Sequence, residues 1–210
     1  ARSGGGLEPE TAASFSFGVL SEIGSVNVTL DYFHIDIHDR LSLFDSEIND
    51  SDAPLLRASG IHSNVTNIQY YANDFNSTTQ GIDLVASLPF EIIGGTDILS
   101  LAFNYTDTKL DVTNVNSPIS NINVRKEREE GVPKTRAVLT YSHSQEELSA
   151  MVRINYYGSF YNAQFNDVSL IEKVDPIIIT DLEVSYDITD SLAVALGAKN
   201  IFDVFPDEYS

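Results

Sequence analysis

Apolar and polar residues alternate with a period of two along most of this chain, the spacing of strands whose two faces meet different surroundings. In the segment 191–198, Leu192, Val194, Leu196 and Ala198 share one face, with Ala193, Ala195 and Gly197 on the other. The segment before it, 180–190, alternates in the same way, and Asp187-Ile188-Thr189-Asp190 predicts a tight hairpin between the two. Upstream, 13–20 aligns Phe15, Phe17 and Val19, and Ser21 to Gly24 reads as a turn. The next strand starts at Val26 and aligns Val28, Leu30 and Tyr32. After Tyr32 the phase flips to Phe33, Ile35 and Ile37, which predicts either a bulge or a change of surroundings. Further strands follow over 68–88 (Ile82, Leu84, Ala86, Leu88), 99–106 (Leu99, Leu101, Phe103, Tyr105), 134–142 (Ala137, Leu139, Tyr141) and 148–157 (Leu148, Ala150, Val152, Ile154, Tyr156).

The connections alternate in length. Turns are expected at 21–24, 89–96, 144–147 and 187–191, and loops at 45–67, 113–132 and 162–174. Short turns at one end and long loops at the other are the habit of outer-membrane barrels. Tyr32, Tyr105 and Tyr156 close the apolar faces at the loop end, whereas Tyr141 and Tyr186 close them at the turn end. Two aromatic bands suit rings that sit at two membrane–water boundaries. The expected fold is therefore all-β, an antiparallel meander of about eight strands that is part of a transmembrane β-barrel. A soluble antiparallel sheet accounts for the alternation alone, but not for the long–short connections together with two tyrosine bands.

Several stretches resemble one family. Asp181 to Tyr186, Ile188-Thr189-Asp190 and Leu196-Gly197-Ala198-Lys199-Asn200-Ile201-Phe202-Asp203 are similar to the last hairpins of TonB-dependent outer-membrane receptors. Leu7-Glu8-Pro9-Glu10 with Phe17-Gly18, Tyr32 to Asp39, Gly81 to Leu84 and Asn155-Tyr156-Tyr157-Gly158 resemble further pieces of it in the same order. The resemblance implies a Gram-negative outer-membrane receptor whose whole barrel has about 22 strands and a plugged lumen. Residues 1–210 would be its C-terminal portion, a fragment without plug or final strand. It implies import of a scarce nutrient (ferric siderophore, cobalamin or oligosaccharide) energised by the inner-membrane TonB complex through the missing N-terminal part. Outer-membrane lipid and lipopolysaccharide would surround the wall. Two other readings stay open: a small porin-like eight-stranded barrel, and a secreted β-sandwich used for adhesion.

Composition narrows the field. A net charge of −19 offers no basic stripe for phosphates and excludes a nucleic-acid binder. The cluster Arg125, Lys126 and Arg128 is cancelled by Glu127, Glu129 and Glu130. No apolar run reaches the roughly 18 residues of a transmembrane helix, which leaves a barrel open because its strands are half polar. Cysteine is absent, so no disulfide framework or thiolate site is available.

Candidate chemistry is sparse. His34, Asp36 and His38 alternate on one face, yet neighbours two apart on a strand lie nearly 7 Å apart, which suits a polar wall better than a metal site. Asp45 to Asp52 is acidic but lacks the glycine of a calcium loop. Arg153, Asn155, Asp83, Asp181 and Glu183 fall on inward faces, where a lumen network would have to pair their charges. Asn27, Asn49, Asn64, Asn76 and Asn104 head glycosylation-type triplets that read as chance. Tyr161, Asp45, Asp52 and Asp167 are loop residues able to touch a ligand, but no binding site is assigned. Nothing has the setting of a catalytic triad or nucleophile elbow, and neither cofactor nor metal is expected.

Overall fold

The computed structural model describes residues 6–47, 53–60, 66–92, 94–112, 116–163 and 171–206. In chain order it forms β1 (Thr11–Ile23), β2 (Val26–Glu47), α1 (Ala53–Ala58), β3 (Asn67–Phe90), β4 (Thr96–Val112), a 3-10 turn (Pro118–Ser120) and α2 (Ile122–Glu130). There follow β5 (Thr135–Gln145), β6 (Leu148–Tyr157), β7 (Phe160–Ala163), β8 (Ile171–Val174), β9 (Ile177–Thr189) and β10 (Leu192–Ala198). Eight strands make one antiparallel sheet in the order β1-β2-β3-β4-β5-β6-β9-β10, and β7 with β8 forms a separate hairpin. Each wall strand pairs with its predecessor, except that β9 reaches β6 past the small hairpin.

The ladder register joins the alternating faces into a single surface. Phe17, Tyr32, Ile82 and Tyr105 stand in one cross-strand row. Val19, Leu30, Leu84, Phe103, Ala137, Tyr156 and Ile178 make the next. Below them run Val28, Ala86, Leu101, Leu139 and Ile154, then Leu88, Leu99, Tyr141, Val152 and Leu182. These side chains are not covered by the protein. Leu30 is 47% exposed, Ile82 42% and Val184 49%, although all three lie inside the sheet rather than on its edges. An apolar face of this extent left open is out of place in water and suited to lipid. From Leu148 to Tyr156 it runs eight residues, about 26 Å along the strand and about 20 Å once tilted as barrel strands are.

The opposite face is polar. Asp31, Asp83, Asn104 and Arg136 follow one another across four strands, and Ser87, Ser100, Thr140, Arg153 and Asp181 form a second row. The sheet is open, because β1 and β10 do not pair with each other among the described residues. That removes the small closed barrel. Among the described residues no second sheet covers the apolar face either, which removes the sandwich.

Several boundaries differ from those expected. Ser21 to Ile23 continue β1, so the turn is only Gly24-Ser25, where Gly24 takes φ +63, a conformation that favours glycine. Asp45 to Glu47 continue β2, Asp187 to Thr189 continue β9, and part of 162–174 is the β7–β8 hairpin. The phase flip after Tyr32 is not a bulge, because pairing runs unbroken from Asn27↔Ser87 to Ile37↔Ser77. It reflects a change of surroundings above the apolar band. The bulge lies higher: β2 carries an extra residue between Ile37 and Arg40, with Asp39 at φ +57, and β3 answers with Asp74 between Asn73 and Phe75.

Candidate functional site

Above the apolar band the wall continues upward as β2, β3 and the end of β4, and the connection from β4 to β5 folds back against it. Ser117 starts the 3-10 turn: its hydroxyl accepts from the amide of Ile119 at 3.0 Å and donates to Asp74 Oδ2 at 2.6 Å. Pro118 fits the first helical position, where no amide is needed. The turn places Ile119 against Phe75 and Leu110, which lie on the polar, lumen-side face of β3 and β4. These three are almost fully buried, with Val112 and Val124 packed around them. It is an apolar cluster on the side opposite to the lipid-type surface, at the mouth of the lumen.

Asn121 caps α2 by accepting from the amide of Asn123 at 2.9 Å. The helix is polar nearly all round, so its own pattern gives it little reason to dock. Its contact comes from an edge instead. β5 begins at Thr135, opposite Tyr105, and leaves the ladder groups of β4 beyond Thr106 without a strand partner on that side. The Glu129 carboxylate accepts from the Leu110 amide at 2.7 Å, and Arg125 Nη2 donates to the Leu110 carbonyl at 2.6 Å. The two side chains also pair with each other at 3.0 Å. On the far side of α2, Lys126 Nζ lies 3.6 Å from the centre of the Tyr161 ring in β7.

Lys134 closes the connection by donating to Asp107 at 2.8 Å and Glu130 at 3.3 Å. The Asp107 bond raises its pKa above the ordinary lysine value, against the opposing effect of burial. Tyr105, Tyr156, Tyr161, Glu130, Lys134 and Ser159 line a crevice of about 340 Å³ beside it.

The residues singled out in the sequence have separate fates. His34 and Asp36 meet at 2.9 Å, Thr78 donates to Asp36 at 2.7 Å, and His34 stacks on Phe15. Among the described residues no three His, Asp or Glu side chains converge on a common point, and His38 joins no such group. Asp45 accepts from Asn67 at 2.9 Å and Gln69 at 3.2 Å, which ties the ends of β2 and β3; these bonds lower its pKa. The rest of the acidic stretch, 48–52, with Asn49, Asn64 and Asp167, lies outside the described residues. Tyr161 is the seat of Lys126.

The lumen charges are held differently from the pairing expected of them. Asp83 accepts from Asn104 at 2.7 Å, and Asp181 accepts from Asn155 at 3.0 Å and from the Asn200 amide at 3.0 Å. Arg153 stands opposite Asp181 in register but makes no ion pair among the described residues; the carboxylate is held by those two donors. Arg136 turns its guanidinium over the Tyr157 ring, 5.0 Å away. The Asn200-Ile201-Phe202-Asp203 stretch also has a physical role. Asn200, at φ +51, donates to the Val204 carbonyl and accepts from the Val204 amide, both at 3.0 Å, and so clamps the chain leaving β10.

A family model described as TonB dependent receptor-like, beta-barrel matches residues 1–201. The chain belongs to the TonB-dependent receptor family. That membership places this β-barrel segment in the outer membrane of a Gram-negative bacterium and sets it among receptors rather than enzymes. Solved structures agree on the fold. The outer membrane transporter YddB of Escherichia coli superposes with a TM-score of 0.64 at 15% identity, covering 94% of this chain and 29% of that one. The FrpB iron transporter of Neisseria meningitidis gives 0.63 at 16%, covering 96% and 28%. The pyoverdine receptor FpvA of Pseudomonas aeruginosa gives 0.63 at 18%, covering 95% and 26%. This TonB-dependent receptor chain thus spans under a third of the length of the structures it matches. No curated protein matches it by sequence.

The strap from Asn116 to Gly131 and the polar cluster beneath it were missed in the sequence. Ser117-Pro118, the Asn121 cap and the i,i+4 pairs Arg125–Glu129 and Glu130–Lys134 were the available signals.

Proposed function

We propose that residues 1–210 are the C-terminal portion of the barrel of an active-transport receptor for a scarce nutrient, with the plug and the final strand contributed by other parts of a longer protein. The observation that carries this reading is the open eight-stranded sheet, apolar outward and polar inward, with unpartnered edges at β1 and β10 among the described residues. Such edges require further strands before they can sit in lipid. Coverage of under a third of each matched structure fits the same account.

In this reading the chain supplies wall, three outer connections and part of the lumen surface. The plug would pack on the Asp31–Asp83–Asn104–Arg136 row. The energy comes from the inner-membrane TonB complex, which reaches the receptor through a part outside this chain. The nutrient is a ferric siderophore, cobalamin or an oligosaccharide. The first is favoured because FpvA is described bound to pyoverdine and FrpB is an iron transporter. Outer-leaflet lipid and lipopolysaccharide are the neighbours of the outward rows.

The test is uptake by the intact receptor in a Gram-negative host stripped of its own siderophore receptors. Growth on a ferric siderophore as sole iron source, lost on deletion of the TonB complex, is the expected result. Growth that survives that deletion would remove energised import. Failure across ferric siderophores, cobalamin and oligosaccharides would favour a passive barrel.

A further inference from the structure

The polar groups beneath the strap are incompletely satisfied. Asp74, the extra residue of the β3 bulge, is over nine-tenths buried. One carboxylate oxygen takes the Ser117 hydroxyl, and the other, Oδ1, has no partner among the described residues. Arg40, opposite Phe75 in the ladder, lies with its guanidinium 5.1 Å from the centre of that ring and donates through Nη1 to the buried Ser77 at 3.1 Å, while its Nε is buried without a partner among the described residues. An acceptor and a donor thus stand idle on the two residues that flank Phe75, Asp74 beside it in β3 and Arg40 opposite it in β2, although together they would make an ion pair. Buried polar groups are seldom left without a partner.

We propose that the segment 116–131 is a strap with two seats. In the seat described above, Ser117 holds Asp74 and Ile119 fills the pocket of Phe75 and Leu110. In the second, the strap lifts from the wall and Asp74 turns to Arg40. Lifting uncovers Ile119, Phe75 and Leu110 but gives the idle Nε and Oδ1 to each other, so the wall compensates for part of what the strap gives up. The exchange takes place at the irregular step of the β2–β3 ladder, where Arg40 pairs with Phe75 between two register shifts and Asp74 is the unpaired extra residue, so the regular register from Ile37 downward and from Leu41 upward is not involved. Since Ile119 docks on the inward face, the first seat narrows the mouth of the lumen and the second opens it. The exchange rests on the reading of the sheet as part of a lumen-bearing barrel, but not on which nutrient passes.

The experiment is a distance measurement between spin labels in the intact receptor folded into lipid vesicles. This chain has no cysteine, so Arg128→Cys on the strap and Tyr71→Cys on the wall are unique label sites within it. A wall pair, Tyr71→Cys with Asp111→Cys, reports on the barrel itself, independently of transport. Ser117→Ala, and separately Ile119→Asn, are expected to add a second, longer strap-to-wall distance while the wall pair stays unchanged. Arg40→Gln added to Ser117→Ala is expected to abolish most of that second population. A single unchanged distance in both Ser117→Ala and Ile119→Asn would overturn the strap. A second population that persists undiminished with Arg40→Gln, or a shift of the wall pair with every variant, would overturn the exchange. None of these outcomes depends on uptake, so they stand apart from a failure of the transport reading.

Discussion

Leu101 is the position at which the lipid-facing assignment can be tested most sharply. It lies four residues from Tyr105 at the loop-side band and four from Asp97 at the turn-side rim. Each interval is about 13 Å along the strand, or about 10 Å of depth at a tilt near 40°. Leu101 therefore sits close to the middle of the bilayer, between Ala86 and Leu139 in its row. Arginine on the lipid face at that depth costs about 2–4 kcal/mol, roughly a 30- to 700-fold fall in the folding equilibrium at 1.4 kcal/mol per tenfold. The neighbouring Ala102 points to the polar side, between Val85 and Val138, so Ala102→Arg is expected to cost about 1 kcal/mol or less, the range of a change in a wet lumen. The assay is reversible urea unfolding of the intact protein in vesicles, followed by tyrosine fluorescence. Equal losses at 101 and 102, or a larger loss at 102, would refute the assignment of faces.

Three further outcomes follow from the geometry. The isolated 210-residue chain is expected to sediment as aggregate without detergent, because both sheet edges are unpaired; a monodisperse, cooperatively melting monomer would contradict the open-sheet account. Gly81→Val places a side chain where the Phe33 ring and the Tyr105 carbonyl already lie, and should cost about 1–3 kcal/mol, read as a lower urea midpoint. The third concerns pH. Asp45 has its folded pKa lowered by Asn67 and then Gln69, so its contribution is present above the ordinary carboxylate value of about 3.9 and is lost as pH falls through the depressed one. Amide exchange at Asn67 to Gln69 should therefore speed up below about pH 3.9, and not do so in Asp45→Asn.

The wall was legible because each strand carries its own record of two unlike faces. Leu99 to Tyr105 announces a lipid side whatever its neighbours are. The upper rim was not, because its order depends on groups far apart in the chain. Nothing near α2 marks Leu110 as a carbonyl and amide in want of a partner; that follows only from where β5 begins. Nor does one strand alone reveal that two extra residues answer each other: the β2 bulge before Arg40 is compensated by Asp74 in β3, so the pairing offset is the same below (Asn27 with Ser87) and above (Leu41 with Asn73). Composition misled about Arg153. An arginine opposite an aspartate invites a salt bridge, but the Asn155 amide and the Asn200 backbone reach the carboxylate instead.

The order of the sheet bears on how such a wall is assembled. All but one of its pairings join consecutive strands, and the exception steps only over the small β7–β8 hairpin. Each strand can close on the one made before it, without a search for a distant partner, so the loop-closure entropy at every step is that of one local connection, a tight turn or a single longer loop. Growth is then processive, from one hairpin to the next, and at each stage the raw margins are two, the outer edge of β1 and the newest strand. The newest strand is the margin that changes at each step, and it is where an assembly factor would have to hold the chain.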